Sequence, residues 1–188
     1  MKKIILITGG ERSGKSSYAE RLAHELTASP VYIATAKIWD EKFRKRVERH
    51  QQNRGPEWTN IEEEKELSRH DITGRVAVID CVTLWCTNYF VESVLMRSSP
   101  EVFHLTNYFV ELQDVTLALE ALKREFDRFT AQEATFIFVT NEIGMGGVSP
   151  NEVQRRFTDL QGWMNQYIAS KADQVVLMVS GIPLKVKG

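Results

Sequence analysis

Cysteine is scarce in this chain, with only Cys81 and Cys86 among 188 residues. Their spacing matches no metal-ligand or redox motif, so both thiols are expected to be packed side chains. Long apolar runs are also missing, and no segment approaches the roughly 18 residues a membrane helix needs. Met1-Lys2-Lys3 leads into only four apolar residues, Ile4 to Ile7, too few for the core of a secretory signal. A cytoplasmic protein with no membrane partner is expected. Charge of one sign is lacking as well: Lys and Arg total 24 against 25 for Asp and Glu, a net charge of -1. No global basic field is therefore available to hold nucleic acid, which is not an expected partner. There is no internal repeat and no low-complexity tract. The Asn-Lys-x-Asp stretch of a guanine-reading switch does not occur.

What is present is an ordinary globular balance, 43% hydrophobic and 26% charged, long enough for one well-buried domain over 1–188. Short, β-rich, nearly continuous apolar runs occur at Ile4 to Ile7, Val31 to Ile33, Val76 to Ile79, Thr135 to Val139 and Val175 to Val179. Such runs suit strands covered on both faces. Helix-length stretches lie between them, at about 15–27, 39–52, 84–97, 108–130 and 151–171. This alternation predicts an α/β fold, a mostly parallel sheet with helices on both faces. The stretch 53–74 reads as an exposed loop with one short helix, because Asn53, Gly55, Pro56 and the acidic run Glu62 to Glu64 break any pattern. Ile182 to Val186 follows Ser180-Gly181 closely enough to pair back as a C-terminal hairpin.

Chemistry begins at Gly9-Gly10-Glu11-Arg12-Ser13-Gly14-Lys15-Ser16, a match to G-x-x-x-x-G-K-[ST] placed between the first strand and the first helix. Glycines let successive amides point inward at phosphate oxygens, and the positive end of the helix adds to the attraction. Lys15 is positioned to reach β and γ phosphates and the Ser16 hydroxyl to ligate Mg2+. Mg2+ also favours a carboxylate, and Asp80 ends the third apolar run. Asp80 is the best candidate for that carboxylate, the alternative being an exposed strand-end aspartate that caps the helix that follows.

Trp39, Phe43, Val47 and His50 recur at spacings of four, four and three, which places them on one side of a helix. Lys42, Arg44, Lys45, Arg46, Arg49 and Arg54 surround that stripe, with guanidinium groups suited to phosphate oxygens. His50 is thus either a core histidine beside a solvated charge run or a nucleophile toward phosphorus. Its spacing does not decide between them. His24, His70 and His104 have no such surroundings and read as structural or exposed.

With these residues placed, the chain resembles the bifunctional adenosylcobinamide kinase/adenosylcobinamide-phosphate guanylyltransferases of cobalamin assembly, over nearly its whole length. The resemblance rests on Thr8 to Ser16, Tyr32 to Ala36, Arg46 to His50 with Arg54 and Trp58, and Asp80 to Asn88. It continues through Val139 to Gly146, Arg155-Arg156-Phe157 with Asn165-Gln166, and Val179 to Leu184. It implies a RecA-like P-loop NTPase domain, usually a homotrimer. Such an enzyme phosphorylates the aminopropanol hydroxyl of adenosylcobinamide with GTP or ATP. It then forms a guanylylated histidine and passes GMP to the new phosphate, giving adenosylcobinamide-GDP.

Carried over, the histidine is His50. Nucleotide contacts fall on Gly9, Gly10, Glu11, Arg12, Ser13, Gly14, Lys15 and Ser16, on Ala34, Thr35 and Ala36, on Gln51, Gln52, Asn53 and Arg54, and on Glu62 and Asp80. Three departures stand out. Arg49-His50 replaces a frequent pair of histidines, so His50 is the only candidate nucleophile. Arg54-Gly55-Pro56 replaces an Arg-Pro step, and Gly147-Val148-Ser149-Pro150 replaces an apolar residue followed by proline. The competing reading is a simple P-loop kinase for a nucleoside or other small alcohol, with His50 structural.

Overall fold

Runs of β-branched and large apolar residues separated by amphipathic stretches bury themselves best as parallel strands joined by helical crossovers. The computed structural model describes residues 1–37, 54–95 and 108–188. The predicted helix over 39–52, with His50, and the adjoining Gln51, Gln52 and Asn53 lie outside the described residues. The strands are β1 (Lys3–Gly9), β2 (Val31–Ala34), β3 (Thr59–Glu62), β4 (Val76–Asp80), β5 (Thr135–Val139), β6 (Gln174–Val179) and β7 (Ile182–Lys187). The helices are α1 (Lys15–Leu26), α2 (Val82–Phe90), α3 (Tyr108–Phe129) and α4 (Glu152–Lys171).

The strands form one sheet in the order β3-β2-β4-β5-β1-β6-β7. Every neighbouring pair is parallel except β6 with β7, which is the antiparallel hairpin expected from Ser180-Gly181. Both turn residues have positive φ, 51° and 83°, the conformation that matches a two-residue turn to strand twist.

Side chains alternate between the two faces. Ile5, Ile7, Val78, Ile137, Val176 and Met178 pack under Ala19 and Ala23 of α1. Ile4, Leu6, Ile33, Ile79, Phe136 and Phe138 pack on the opposite face against α2, α3 and α4. On α3 the buried positions Val115, Ala118, Leu119, Leu122, Phe126 and Phe129 recur every three or four residues, the stripe a helix needs to cover a sheet. Helices thus cover both faces. Both cysteines are free, Cys86 buried and Cys81 half-buried, and burial pushes the Cys81 thiol up to about 12. They are packed residues.

The stretch expected to be a loop with one short helix contains that helix, a 3-10 turn over Leu67–Arg69, and also β3. This strand is missing from the apolar pattern because Thr59-Asn60-Ile61-Glu62 lies at the sheet edge with three of four side chains exposed. Its backbone ladder to Val31 through Ala34 holds it in place, and a ladder is indifferent to side chains.

Candidate active site

Parallel pairing brings the carboxyl ends of β1, β2, β4 and β5 to one edge, and the chemistry-bearing residues collect there. At Gly9 φ is +150°, and a Cβ would stand 2.5 Å from the Met178 carbonyl oxygen and 2.9 Å from Ser13 Oγ. The turn out of β1 therefore requires glycine. Arg12 and Gly14 also have positive φ, 57° and 92°, which coils the loop so that α1 starts at Lys15. The loop is pinned from outside as well, since Gly181 N–H in the β6–β7 turn donates to Ser13 O at 2.9 Å.

Gly10, Glu11 and Arg12 are exposed at the rim, Gly14 and Ser16 are half-buried, and Ser13 and Lys15 are buried. Lys15 Nζ donates to the Gly10 carbonyl at 2.5 Å. Burial lowers the Lys15 amine below the ordinary lysine value, while Cys81, Asp80 and Glu11 act in the opposite sense. Ser13 Oγ is buried without a hydrogen-bond partner.

Asp80 ends β4, two strands from β1. Its Oδ2 accepts from the Tyr32 hydroxyl at 2.8 Å. The N-cap of α2 is Cys81, which makes no side-chain capping bond, so Asp80 does not occupy the capping position. Burial, followed by the Asp80 charge, pushes the Tyr32 phenol well above its ordinary value, so Tyr32 remains a donor.

Above the Tyr32 ring, at 3.6 Å from its centroid, lies the Arg54 guanidinium, whose Nε donates to Asn60 Oδ1 at 2.8 Å. Arg54 is 4% exposed and 3.5 Å from Glu20. It thus belongs to a packed Arg54–Tyr32–Asp80 column. Ala34 and Ala36 are half-buried beside it. Thr35 is buried, its hydroxyl donating to Cys81 O at 2.7 Å and accepting from Cys81 N–H at 2.9 Å. Glu62 is exposed on β3 in register with Ala34.

One cluster escaped the residue pattern. Glu142, just beyond β5, donates its N–H to Gly9 O at 3.2 Å, and its Oε1 accepts from Thr8 Oγ1 at 2.7 Å and Asn165 Nδ2 at 3.3 Å. Thr140 Oγ1 donates to Asn165 Oδ1 at 2.7 Å, and Gln161 Nε2 bridges Thr83 Oγ1 and Asn141 O at 2.7 and 2.8 Å. This network ties β1, β5, α2 and α4 together beneath the loop. The available signal was the polar triplet Thr140-Asn141-Glu142 directly after an apolar strand, the position at which parallel sheets present functional groups.

A glycine-bent loop between the first strand and first helix, a buried lysine inside it and an aspartate on the next strand but one define a P-loop nucleotide-binding protein of the α/β class. A solved ATPase from the type III secretion system of pathogenic bacteria has a similar fold, with a TM-score of 0.52 at 12% identity over 94% of this chain and 51% of that one. Residues 5–186 match the model of the cobinamide kinase/cobinamide phosphate guanyltransferase family, and the chain belongs to that family. It is 35% identical to the bifunctional adenosylcobalamin biosynthesis protein CobU of Escherichia coli, over 98% of this chain and 99% of that protein. It is also 35% identical to the bifunctional adenosylcobalamin biosynthesis protein CobP of Pseudomonas aeruginosa, over 97% and 96%.

Proposed function

We propose that this chain is a cytoplasmic, homotrimeric transferase that phosphorylates adenosylcobinamide with GTP or ATP and then guanylylates the product through His50. The observation that carries this reading is the coiled Gly9 to Ser16 loop with Lys15 buried inside it, in a chain of this family. Backbone amides and Lys15 would hold the triphosphate, and a phosphate oxygen would supply the partner that the buried Ser13 hydroxyl lacks. Mg2+ commonly takes one or two protein oxygens and completes its shell with phosphates and water. A half-buried Ser16 hydroxyl and one Asp80 carboxylate fit that pattern. No larger group of His, Cys, Asp and Glu suited to a metal occurs among the described residues. Held by Ser16 and Asp80, the ion would supply charge neutralisation on the β and γ oxygens.

In the kinase step the aminopropanol oxygen bonds to the γ phosphorus, its proton passing to water or a phosphate oxygen, as the bridging bond from that phosphorus to the β phosphate breaks. The nucleoside diphosphate leaves. In the second reaction a ring nitrogen of neutral His50 attacks the α phosphorus of GTP and pyrophosphate departs, leaving a phosphoramidate. The phosphate on the corrinoid then attacks that phosphorus, the P–N bond breaks and adenosylcobinamide-GDP forms. Ala34, Thr35, Ala36, Gln51, Gln52, Asn53, Arg54 and Glu62 would line the nucleotide. Of these, Arg54 would act through the Tyr32–Asp80 column on which it is stacked.

The test is to incubate the protein with GTP labelled at the α phosphate and to recover the denatured chain. Label should be present, labile to acid and comparatively stable to base. His50→Ala should take up none and still phosphorylate adenosylcobinamide. Label on the variant would assign the nucleophile to another residue.

A further inference from the structure

Beyond Glu142 the chain makes a 3-10 turn over Ile143–Gly146 and then a loop to the start of α4. Between this loop, the first half of α4 and Val115 of α3 lies a cleft of about 460 Å³, within the size range of small-molecule sites. Its walls mix Val148 and Trp163 with Ser149, Arg155, Arg156 and Asp159. Two of the stretches on which the family resemblance rests, 139–146 and 155–157, meet here, through Gly144 and through Arg155 and Arg156.

Three observations point to a ligand. Val148 is 88% exposed and Trp163 38%, with Met145 close by in sequence at 77%, a concentration of large apolar side chains that an isolated surface loop has no reason to carry. The walls are also fixed in place. Arg155 Nη1 donates to the Ser149 and Pro150 carbonyls at 3.0 and 2.8 Å, and Asn151 caps α4 by accepting from Gln154 N–H at 3.0 Å. Finally, a Cβ at Gly146 would meet nothing within 4 Å, so packing does not explain the bare backbone at that position.

The cleft also lies next to the cradle. Glu142, bonded through both its amide and its carboxylate to Gly9 and Thr8, is two residues from Gly144, which lines the cleft.

We propose that this cleft seats the corrinoid acceptor, one face of the macrocycle against Trp163 and Val148 and its aminopropanol arm directed across Glu142 to the phosphate cradle. The inference rests on the function proposed above. A corrin offers a broad apolar face rimmed by carboxamides, which both donate and accept. Arg155 brings donors to such a rim, Asp159 acceptors and Ser149 both, and the indole and isopropyl groups suit the face. The carbonyl contacts of Arg155 leave its remaining guanidinium N–H groups for the rim.

Equilibrium dialysis of the full-length protein against adenosylcobinamide, read by corrin absorbance, tests the site alongside kinase kinetics. Val148→Asp changes an exposed side chain that the fold does not use, and Trp163→Ala removes the flat wall. Each should raise the Kd and KM for adenosylcobinamide by about tenfold, equivalent to ~1.4 kcal/mol, while the KM for GTP moves by less than about twofold. Variants that bind the corrinoid like wild type would overturn the assignment. So would variants that sediment as smaller assemblies with corrinoid affinity retained, since the cleft would then be a contact between subunits. Wild-type protein that neither binds nor phosphorylates adenosylcobinamide would remove the proposed function, whereas an active wild type with indifferent variants removes the cleft alone.

Discussion

A carboxylate at the edge of a sheet is costly to enclose unless its oxygens are engaged, and Glu142 Oε1 takes two donors, one from the buried Thr8 and one from the buried Asn165. Asn165 Nδ2 keeps a second acceptor in Asn141 O at 3.0 Å, so the Thr8 hydroxyl is the donor left stranded when the carboxylate is removed. Glu142→Ala should therefore lose about 1–3 kcal/mol of stability, the usual cost of stranding a buried donor. Glu142→Gln keeps a carbonyl oxygen in the same place and should lose less than about 1 kcal/mol, because it gives up only the stronger pairing that charge provides. Urea unfolding of both variants at neutral pH separates the two contributions. Equal losses would mean that charge, and not the acceptor, holds this corner together. Asp80 differs in kind, since its Oδ2 faces the Tyr32 hydroxyl and the strand end that carries it is only half-buried.

The segment between β3 and β4 is stabilised as an element by a few inward bonds. Glu63 Oε1 accepts from the backbone N–H groups of Lys65 and Glu66 at 3.0 and 2.9 Å, and Oε2 lies 3.2 Å from His70 Nε2. Burial pushes the Glu63 carboxyl upward, but these bonds outweigh it and hold the group below its ordinary 4.5. A depressed carboxyl contributes stability above its unfolded value and loses it as pH falls through the folded one. The stability advantage of wild type over Glu63→Gln should accordingly be full above pH 4.5 and shrink with acidification below it. Melting temperatures across that range give the answer, and a gap that widens in acid would contradict it.

The same segment marks where sequence reading stops. Strands β1, β2, β4, β5 and β6 were legible because burial on both faces demands continuous apolar residues, and β7 because Ser180-Gly181 fits a tight turn. In β3 the residues carry no such demand. The phosphate loop was legible because its parts are neighbours in sequence. The Thr8–Glu142 and Asn165–Glu142 bonds span 134 and 23 residues, and Tyr32 to Asp80 spans 48. No local pattern encodes those pairings.

At the scale of the whole molecule, Gly9, Ala34, Asp80 and the Val139–Glu142 segment arrive from β1, β2, β4 and β5, with β5 between β1 and β4. A nucleotide held at this edge would engage the strands at the centre of the single sheet, and local opening there requires breaking the core on both faces. Binding energy should therefore appear as global stability. A ligand specific for the folded state adds about 2.7 kcal/mol at roughly 100 times its Kd. For a chain of this size that corresponds to a rise in Tm of about 5–10 °C. GTP with Mg2+ should produce this shift in wild type, with one cooperative transition before and after. Lys15→Ala removes the cation inside the loop, together with its 2.5 Å bond to Gly10 O, and should lose most of the shift while unfolding cooperatively. Differential scanning calorimetry with and without nucleotide makes the comparison. A variant that keeps the full shift would mean that GTP is held elsewhere on the molecule, and the Gly9 to Ser16 loop would no longer be its phosphate site.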